Sequence, residues 1–256
     1  MSSTDQAWQY LQQFAPGQYV QWHIKRMVTS IDYLASQVDL KGLKVLDLGH
    51  DPLMGLLMVR TGMTLTGNLA PGSKDLCRFT AGDGRAIEWA SDEFDFEGRF
   101  PYPDHSFDLV TGFEIIEHVR DNPRAVLREI KRVLKPGGLA YLGTPNVNSW
   151  SKLMRQFRGD RLYDSMPYSN EYGPRHFMCH VYEYSPYELK QFLRSEGFAL
   201  VHARTWDVYP DDEKPLRKWI LLPLMALSLA LTGYFKEAAL LFKDRGHQMA
   251  MIFRRP

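Results

Sequence analysis

The stretch Lys44-Val-Leu-Asp-Leu-Gly49 is a short apolar run that stops on a glycine, and Leu53 to Arg60 then reads as a helix opening after Pro52. Strand, turn and helix in that order make the first unit of a parallel sheet. Met63 to Leu69 supplies a second strand, and Phe107-Asp-Leu-Val-Thr-Gly-Phe113 another, opened by the turn formers Pro103-Asp-His-Ser106. Between these two, a strand is expected around Ala86 to Ala90. Asn122 and Pro123 start an amphipathic helix that buries Val126, Leu127, Ile130, Val133 and Leu134 and stops at Lys135-Pro-Gly-Gly138. Leu139 to Thr144 is the next strand. A helix over Pro186 to Glu196 closes at Gly197 before a strand from Phe198, and His247 to Phe253 supplies the final strand. Upstream, Val20, Ile24, Met27, Ile31 and Leu34 recur at three or four residues, which predicts a helical cap within residues 1–40. Alternating strands and helices predict an α/β fold: one domain over residues 1–256, with a Rossmann-like, mostly parallel seven-stranded sheet and helices on both faces. Its ligands belong outside the carboxyl ends of the strands.

The 256 residues are 45% hydrophobic and 24% charged, which suits a folded globular protein rather than a disordered one. Lys and Arg number 31 against 30 acidic residues, and no basic run interleaves with aromatics, so nucleic acid is not an expected partner. Cys77 and Cys179 stand far apart without a Cys-x-x-Cys or His-pair spacing, so neither a disulfide framework nor a metal site is expected. Met1 to Ala15 is polar and unlike a signal peptide, which predicts a cytoplasmic protein. Within an apolar helical segment at residues 214–245, Trp219 to Phe235 is almost free of polar side chains, contains Pro223 and follows Lys214, Arg217 and Lys218. It is short for a membrane span, and predicts peripheral membrane contact, burial or dimerisation through residues 219–235.

Four phrases follow one another in order: Phe100-Pro-Tyr-Pro-Asp-His-Ser-Phe-Asp-Leu-Val110, Phe113-Glu-Ile-Ile-Glu-His118, Glu129-Ile-Lys-Arg-Val-Leu-Lys-Pro-Gly-Gly138 and Gly143-Thr-Pro-Asn146. Together they resemble the class I S-adenosylmethionine-dependent methyltransferases, within them the type 11 and type 23 sequences. His180-Val-Tyr-Glu-Tyr184, with the helix and Gly197-Phe198 after it, is similar to a segment of relatives associated with surface-glycan biosynthesis. The resemblance implies S-adenosyl-L-methionine as cofactor and S-adenosyl-L-homocysteine as product. The acceptor it implies is an oxygen, less readily a nitrogen, of a saccharide, a lipid-linked glycan or another small polar metabolite.

Carried onto this sequence, the resemblance assigns cofactor binding to Asp47, Gly49, Asp51, Gly55, Asn68, Asp95, Phe96 and Glu114. Asp95 would meet the adenine amino group and Glu114 would line the methionine end, while Asp47 reads equally as a cofactor-side carboxylate or a strand-end residue. Two departures stand out. The glycine-rich loop is Gly49-His-Asp-Pro-Leu-Met-Gly55, without its middle glycine, and the ribose carboxylate position falls at Asn68 or Leu69. An asparagine can still hydrogen-bond a hydroxyl, without the charge-assisted strength of a carboxylate. His118 and His180 are the candidate catalytic bases, since imidazole titrates near neutrality. His118 could instead brace its loop, and His180 could be a structural partner of Glu183. Residues 147–184 form a long acceptor-side insertion with Trp150, Phe157, Tyr163, Tyr168, Tyr172, Arg155, Arg158, Arg161 and Arg175, residues suited to sugar faces and to phosphate or carboxylate. The altered loop and apolar tail also admit a catalytically silent, membrane-proximal subunit. A nicotinamide-dependent oxidoreductase shares the strand-turn-helix unit but would need a G-x-G-x-x-G spacing that is missing here.

Overall fold

The computed structural model describes residues 17–49, 51, 53–69, 78–80, 86–157, 159, 180–208, 223–224, 227, 231 and 244–256. Helix α1 (Gly17–Gln37) precedes strand β1 (Lys44–Leu48), helix α2 (Leu53–Thr61) and strand β2 (Thr64–Leu69). A short ribbon of β3 (Arg78–Thr80) and β4 (Ala86–Glu88) leads to β5 (Ala90–Glu93) and then β6 (Phe107–Phe113). A 3-10 turn (Ile116–His118), helix α3 (Pro123–Val133), the long β7 (Leu134–Pro145) and helix α4 (Trp150–Phe157) follow. Helix α5 (Pro186–Ser195), β8 (Ala199–Trp206) and β9 (Gln248–Arg254) complete the order.

The seven-stranded sheet runs β5-β2-β1-β6-β7-β9-β8. Its strands from β5 to β7 pair in parallel, whereas β9 is antiparallel to both β7 and β8. The expected mostly parallel, Rossmann-like sheet is therefore present. Alternation along the strands divides the core in two, because successive side chains point to opposite faces. Val45, Leu109, Tyr141 and Ile252 pack with Ile31 and Leu34 of α1 and Leu53 and Leu57 of α2. On the other face Leu46, Val110, Leu142 and Met251 meet Val126 and Ile130 of α3 and Leu189 and Leu193 of α5.

Local signals set the helix boundaries. The Asn122 side chain accepts from the backbone N–H of Arg124 and Ala125, and Pro123 opens α3 where its missing N–H is harmless. Ser185 and Glu188 form a reciprocal capping box at the start of α5. Part of the long phrase around Pro103 proves to be scaffold: Arg132 of α3 donates to the carbonyls of Phe100 and Tyr102 and to the carboxylates of Asp104 and Glu129. That grip holds the entry to β6.

The strand expected around Ala86 to Ala90 divides into two. Ala86–Glu88 pairs with β3, and only from Ala90 does the chain join β2 as the edge of the main sheet. Trp89, between them, buries its indole against α2 and interrupts the run. The apolar cap is represented by α1, while residues 1–16 fall outside the described set. So do Arg158, Arg161, Tyr163, Tyr168, Tyr172, Arg175 and His176 of the insertion and most of residues 209–243.

Gly55 lies on α2, where a Cβ would sit 2.4 Å from the Trp89 ring. The structure gives it the job of letting helix and indole touch. Gly55→Ala is expected to lower stability by about 1–3 kcal/mol through overpacking, read as a lower urea midpoint with an unchanged slope.

Candidate active site

The carboxyl ends of β1, β2, β5 and β6 bring together the residues expected at a cofactor crevice. Gly49 leaves β1 with φ +77, and a Cβ there would meet the Ile115 side chain at 2.6 Å. Asp47 is buried inside the turn that follows. Its two oxygens accept from the Thr111 hydroxyl at 2.6 Å and the Asp51 backbone N–H at 2.7 Å. Burial and the neighbouring Asp51 charge push the Asp47 carboxyl well above the ordinary carboxylate range. Asp51 in turn accepts from the Leu53 N–H at 2.8 Å, at the entry to α2. Burial pushes its carboxyl up to about 6, against the opposing influence of the Leu53 N–H and Arg26. Through these bonds the two acidic side chains tie Asp51 to the end of β1 and Leu53 to Asp51.

Asn68 ends β2 buried, with its amide N–H groups on the carbonyls of Leu69 (3.2 Å) and Phe94 (2.8 Å) and its oxygen accepting from Gly49 (3.4 Å). The side chain splices three strand ends together and keeps one oxygen lone pair in hand. Asp95 stands exposed just past β5 and accepts from the Glu97 N–H at 2.9 Å. Its neighbour Phe96 packs on the second core cluster.

At the end of β6, Glu114 takes φ +57 and donates its backbone N–H to Gly143 at 2.8 Å. Its carboxylate is gripped from two distant parts of the chain, by Arg26 of α1 at 2.8 Å and by the Gln248 amide of β9. Arg26 also acts electrostatically on Asp51 and Glu117. Sequence reading missed Arg26, because beside Lys25 in the amphipathic pattern of α1 it looks like an ordinary surface residue.

Three residues on, Glu117 is 0% exposed. Thr144 donates to one of its oxygens at 2.8 Å, and the other has no hydrogen-bond partner among the described residues. Burial first, and then Glu114, raise its carboxyl well above the usual range, which favours its protonated form. The rings of His118 and His180 meet edge to face at 5.0 Å, and one ring nitrogen of each lies within 4.8 Å of the other and of a Glu117 oxygen. The structure thus brings the two candidate bases together, over a carboxyl that sequence reading quoted without giving it a role. A carboxyl group and two imidazoles are chemically able to take a divalent ion, and equally able to exchange protons. Behind His180, its Nδ1 meets Glu183 at 2.7 Å, and Glu183 is ion-paired with Lys152 of α4.

Residues 21–203 match a protein family described as "Methyltransferase domain". A ubiquinone biosynthesis O-methyltransferase of Xanthomonas oryzae pv. oryzae (strain PXO99A) is 36% identical over 123 residues, covering 45% of this chain and 48% of that protein. The protein of the same name from Xanthomonas euvesicatoria pv. vesicatoria (strain 85-10) is 29% identical over 174 residues, 66% of this chain and 68% of the relative. The chain thus spans about half the length of the first of these curated relatives. A SAM-dependent methyltransferase structure from Thermotoga maritima aligns with TM-score 0.54 at 15% identity, over 98% of this chain and 100% of the other. That likeness is one of fold.

The raised Asp51 carboxyl has a consequence for stability. The folded chain holds a proton between the ordinary aspartate value of 3.8 and about 6 that the unfolded chain releases. Its contribution is therefore full below pH 4 and lost as pH rises through 6, up to about 3 kcal/mol. Urea denaturation of Asp51→Asn at pH 4 to 7 is expected to show a shallower decline with rising pH than the parent, with the remaining slope of the same sign from Asp47.

Proposed function

Because the chain belongs to the methyltransferase-domain family and is a class I S-adenosylmethionine-dependent methyltransferase by its sequence and fold, we propose that it transfers a methyl group to a hydroxyl oxygen of a small molecule. The observation that carries the proposal is the charge pattern at the crevice. The amino-acid end of S-adenosylmethionine presents one carboxylate and one ammonium, and the crevice offers one guanidinium, Arg26, with the carboxylates of Asp51 and Glu114. Arg26 would bind the carboxylate, and Glu114 with Asp51 the ammonium. Asp47 and Gly49 would shape the turn beneath, Asn68 would offer its remaining lone pair to a ribose hydroxyl, and Asp95 with Phe96 would border the adenine. The bound cofactor supplies an electrophilic methyl group. The protein's share is positioning and proton removal.

A hydroxyl must lose its proton to become a good nucleophile, whereas many amines need no such help. The converging imidazoles of His118 and His180 suit the first case, and Nδ1 of His180 is held against Glu183. The relatives' names point to O-methylation in ubiquinone biosynthesis. Saccharides and lipid-linked glycans remain an acceptor class on the resemblance of His180-Val-Tyr-Glu-Tyr184 alone. The intact charge pattern favours an enzyme over a silent subunit.

Calorimetric titration with S-adenosylmethionine is expected to give micromolar binding, weakened about 10- to 100-fold by Arg26→Ala. Release of S-adenosylhomocysteine in the presence of catechols or simple saccharides then reads the transfer. His180→Gln is expected to lower kcat by about 100- to 10,000-fold, and no binding at millimolar cofactor would return the silent subunit to the lead.

A second reading concerns the apolar tail. Of residues 219–235 the described side chains Leu224, Leu227 and Leu231 are 57%, 56% and 79% exposed, at helical spacing. No helix among the described residues is long and apolar enough to cross a membrane. We infer peripheral contact of this stripe with a bilayer, aided by Lys214, Arg217 and Lys218. Co-sedimentation with phosphatidylglycerol vesicles is expected for the parent and lost on replacing the three leucines by serine, and equal sedimentation of both would sink the reading.

A further inference from the structure

Lys152 and Glu183 are the two most deeply buried formal charges behind the site, with side chains 2% and 0% exposed, and nothing so far gives them a task. Both sit on firmly anchored backbone. Lys152 rides on α4, whose first N–H, at Trp150, bonds the Arg245 carbonyl, and the loop carrying Glu183 is tied down by the N–H groups of Val181 and Tyr182 on the Glu117 carbonyl. The loop then runs into the Ser185 capping box. Glu183 spends one oxygen on Lys152 and the other on Nδ1 of His180.

We propose that Glu183 and Lys152 are positioning residues for His180: Glu183 fixes the proton on Nδ1, leaving the Nε2 lone pair as the base, and Lys152 cancels the Glu183 charge so that the imidazole stays neutral. The reasoning is electrostatic. A lone buried carboxylate 2.7 Å from an imidazole would favour the imidazolium and abolish a base. A neutral partner would leave the tautomer free to exchange. A carboxylate already neutralised by an ammonium on its far oxygen orients the ring without charging it, the role that a second carboxylate neighbour plays for catalytic and metal-bound histidines. Among the described residues, the titratable groups facing His180 are Glu183 on its own loop, Glu117 and His118 on the 3-10 turn, and Lys152 on α4 through Glu183. Burial raises the Glu117 carboxyl well above the usual range, which disfavours a second negative charge beside the ring.

The inference builds on His180 as base, but its test needs no acceptor. Two-bond proton–nitrogen NMR of the histidine rings in the full chain reports tautomer and titration directly. The parent is expected to show His180 protonated on Nδ1. Lys152→Met is expected to move its titration up by about one pH unit or more, Glu183→Gln to move it down, and the charge-neutral double variant to return it close to the parent. Opposite shifts that cancel are not produced by a pair that merely pins the loop. A parent ring protonated on Nε2, or a titration indifferent to all three substitutions, would overturn the proposal. Should a single variant fail to fold, the parent tautomer and the double variant still decide it. An unchanged kcat in His180→Gln would instead remove the base assignment and leave the NMR result standing.

Discussion

The ion pair between Arg26 and Glu114 joins the helix that precedes the sheet to the strand end at its middle, and the crevice is organised around it. Glu114 turns out of β6 in a left-handed conformation that side chains rarely adopt. Bonds from both ends of the carboxylate and from its own N–H to Gly143 hold it there. Strain of this kind survives only where surrounding contacts over-determine it, and those contacts here come from α1, β7 and β9. The same guanidinium moderates the acids on either side, Asp51 and Glu117, so one cation keeps three carboxyl groups within a small volume.

Two kinds of polar residue share the crevice. Asp47 accepts from the Thr111 hydroxyl and the Asp51 N–H, and Asn68 bonds backbone groups of three strand ends, so both help to set the shape of the turn. Glu117, His118 and His180 converge around a buried Glu117 oxygen that has no hydrogen-bond partner among the described residues, and the proposed proton removal is placed there. In the proposed function, the boundary between cofactor and acceptor sides would fall between Glu114 and Glu117, three residues apart in the chain.

Much of this was legible in the sequence, for reasons that can be named. Strands β1, β2, β6 and β7 carry their apolar residues in short segments bounded by glycine or turn residues, and α3 and α5 carry their own caps, so periodicity and punctuation agree. The stretch from Ala86 to Glu93 defeated that reading, since a tertiary contact, the Trp89 indole on Gly55, decides where one strand stops and another starts. Of the residues that the resemblance singled out, Gly49, Asp51, Asp95, Phe96 and Glu114 lie at or just past the carboxyl ends of β1, β5 and β6. Gly55 has a neighbour that the sequence did not reveal, the Trp89 indole. Arg26, Lys152 and Gln248 left no local trace: each matters through a partner 31 or more residues away, and pairing across such distances has no sequence period.

The antiparallel strand β9 lies between β7 and β8 although it follows β8 by more than forty residues in the chain. While the polypeptide is being synthesised, β7 and β8 are both complete before the strand that must separate them exists. Each then presents an unsatisfied hydrogen-bonding edge, and direct pairing of the two would be a competing topology. The parallel half of the sheet, from β5 to β7, can assemble early with α2 and α3 upon it. Gln248, at the head of β9, reaches the Glu114 carboxylate only when the insertion is correct. The crevice is thereby completed by the last strand to arrive, so that ligand-binding competence reports on sheet order as well as on local loop structure.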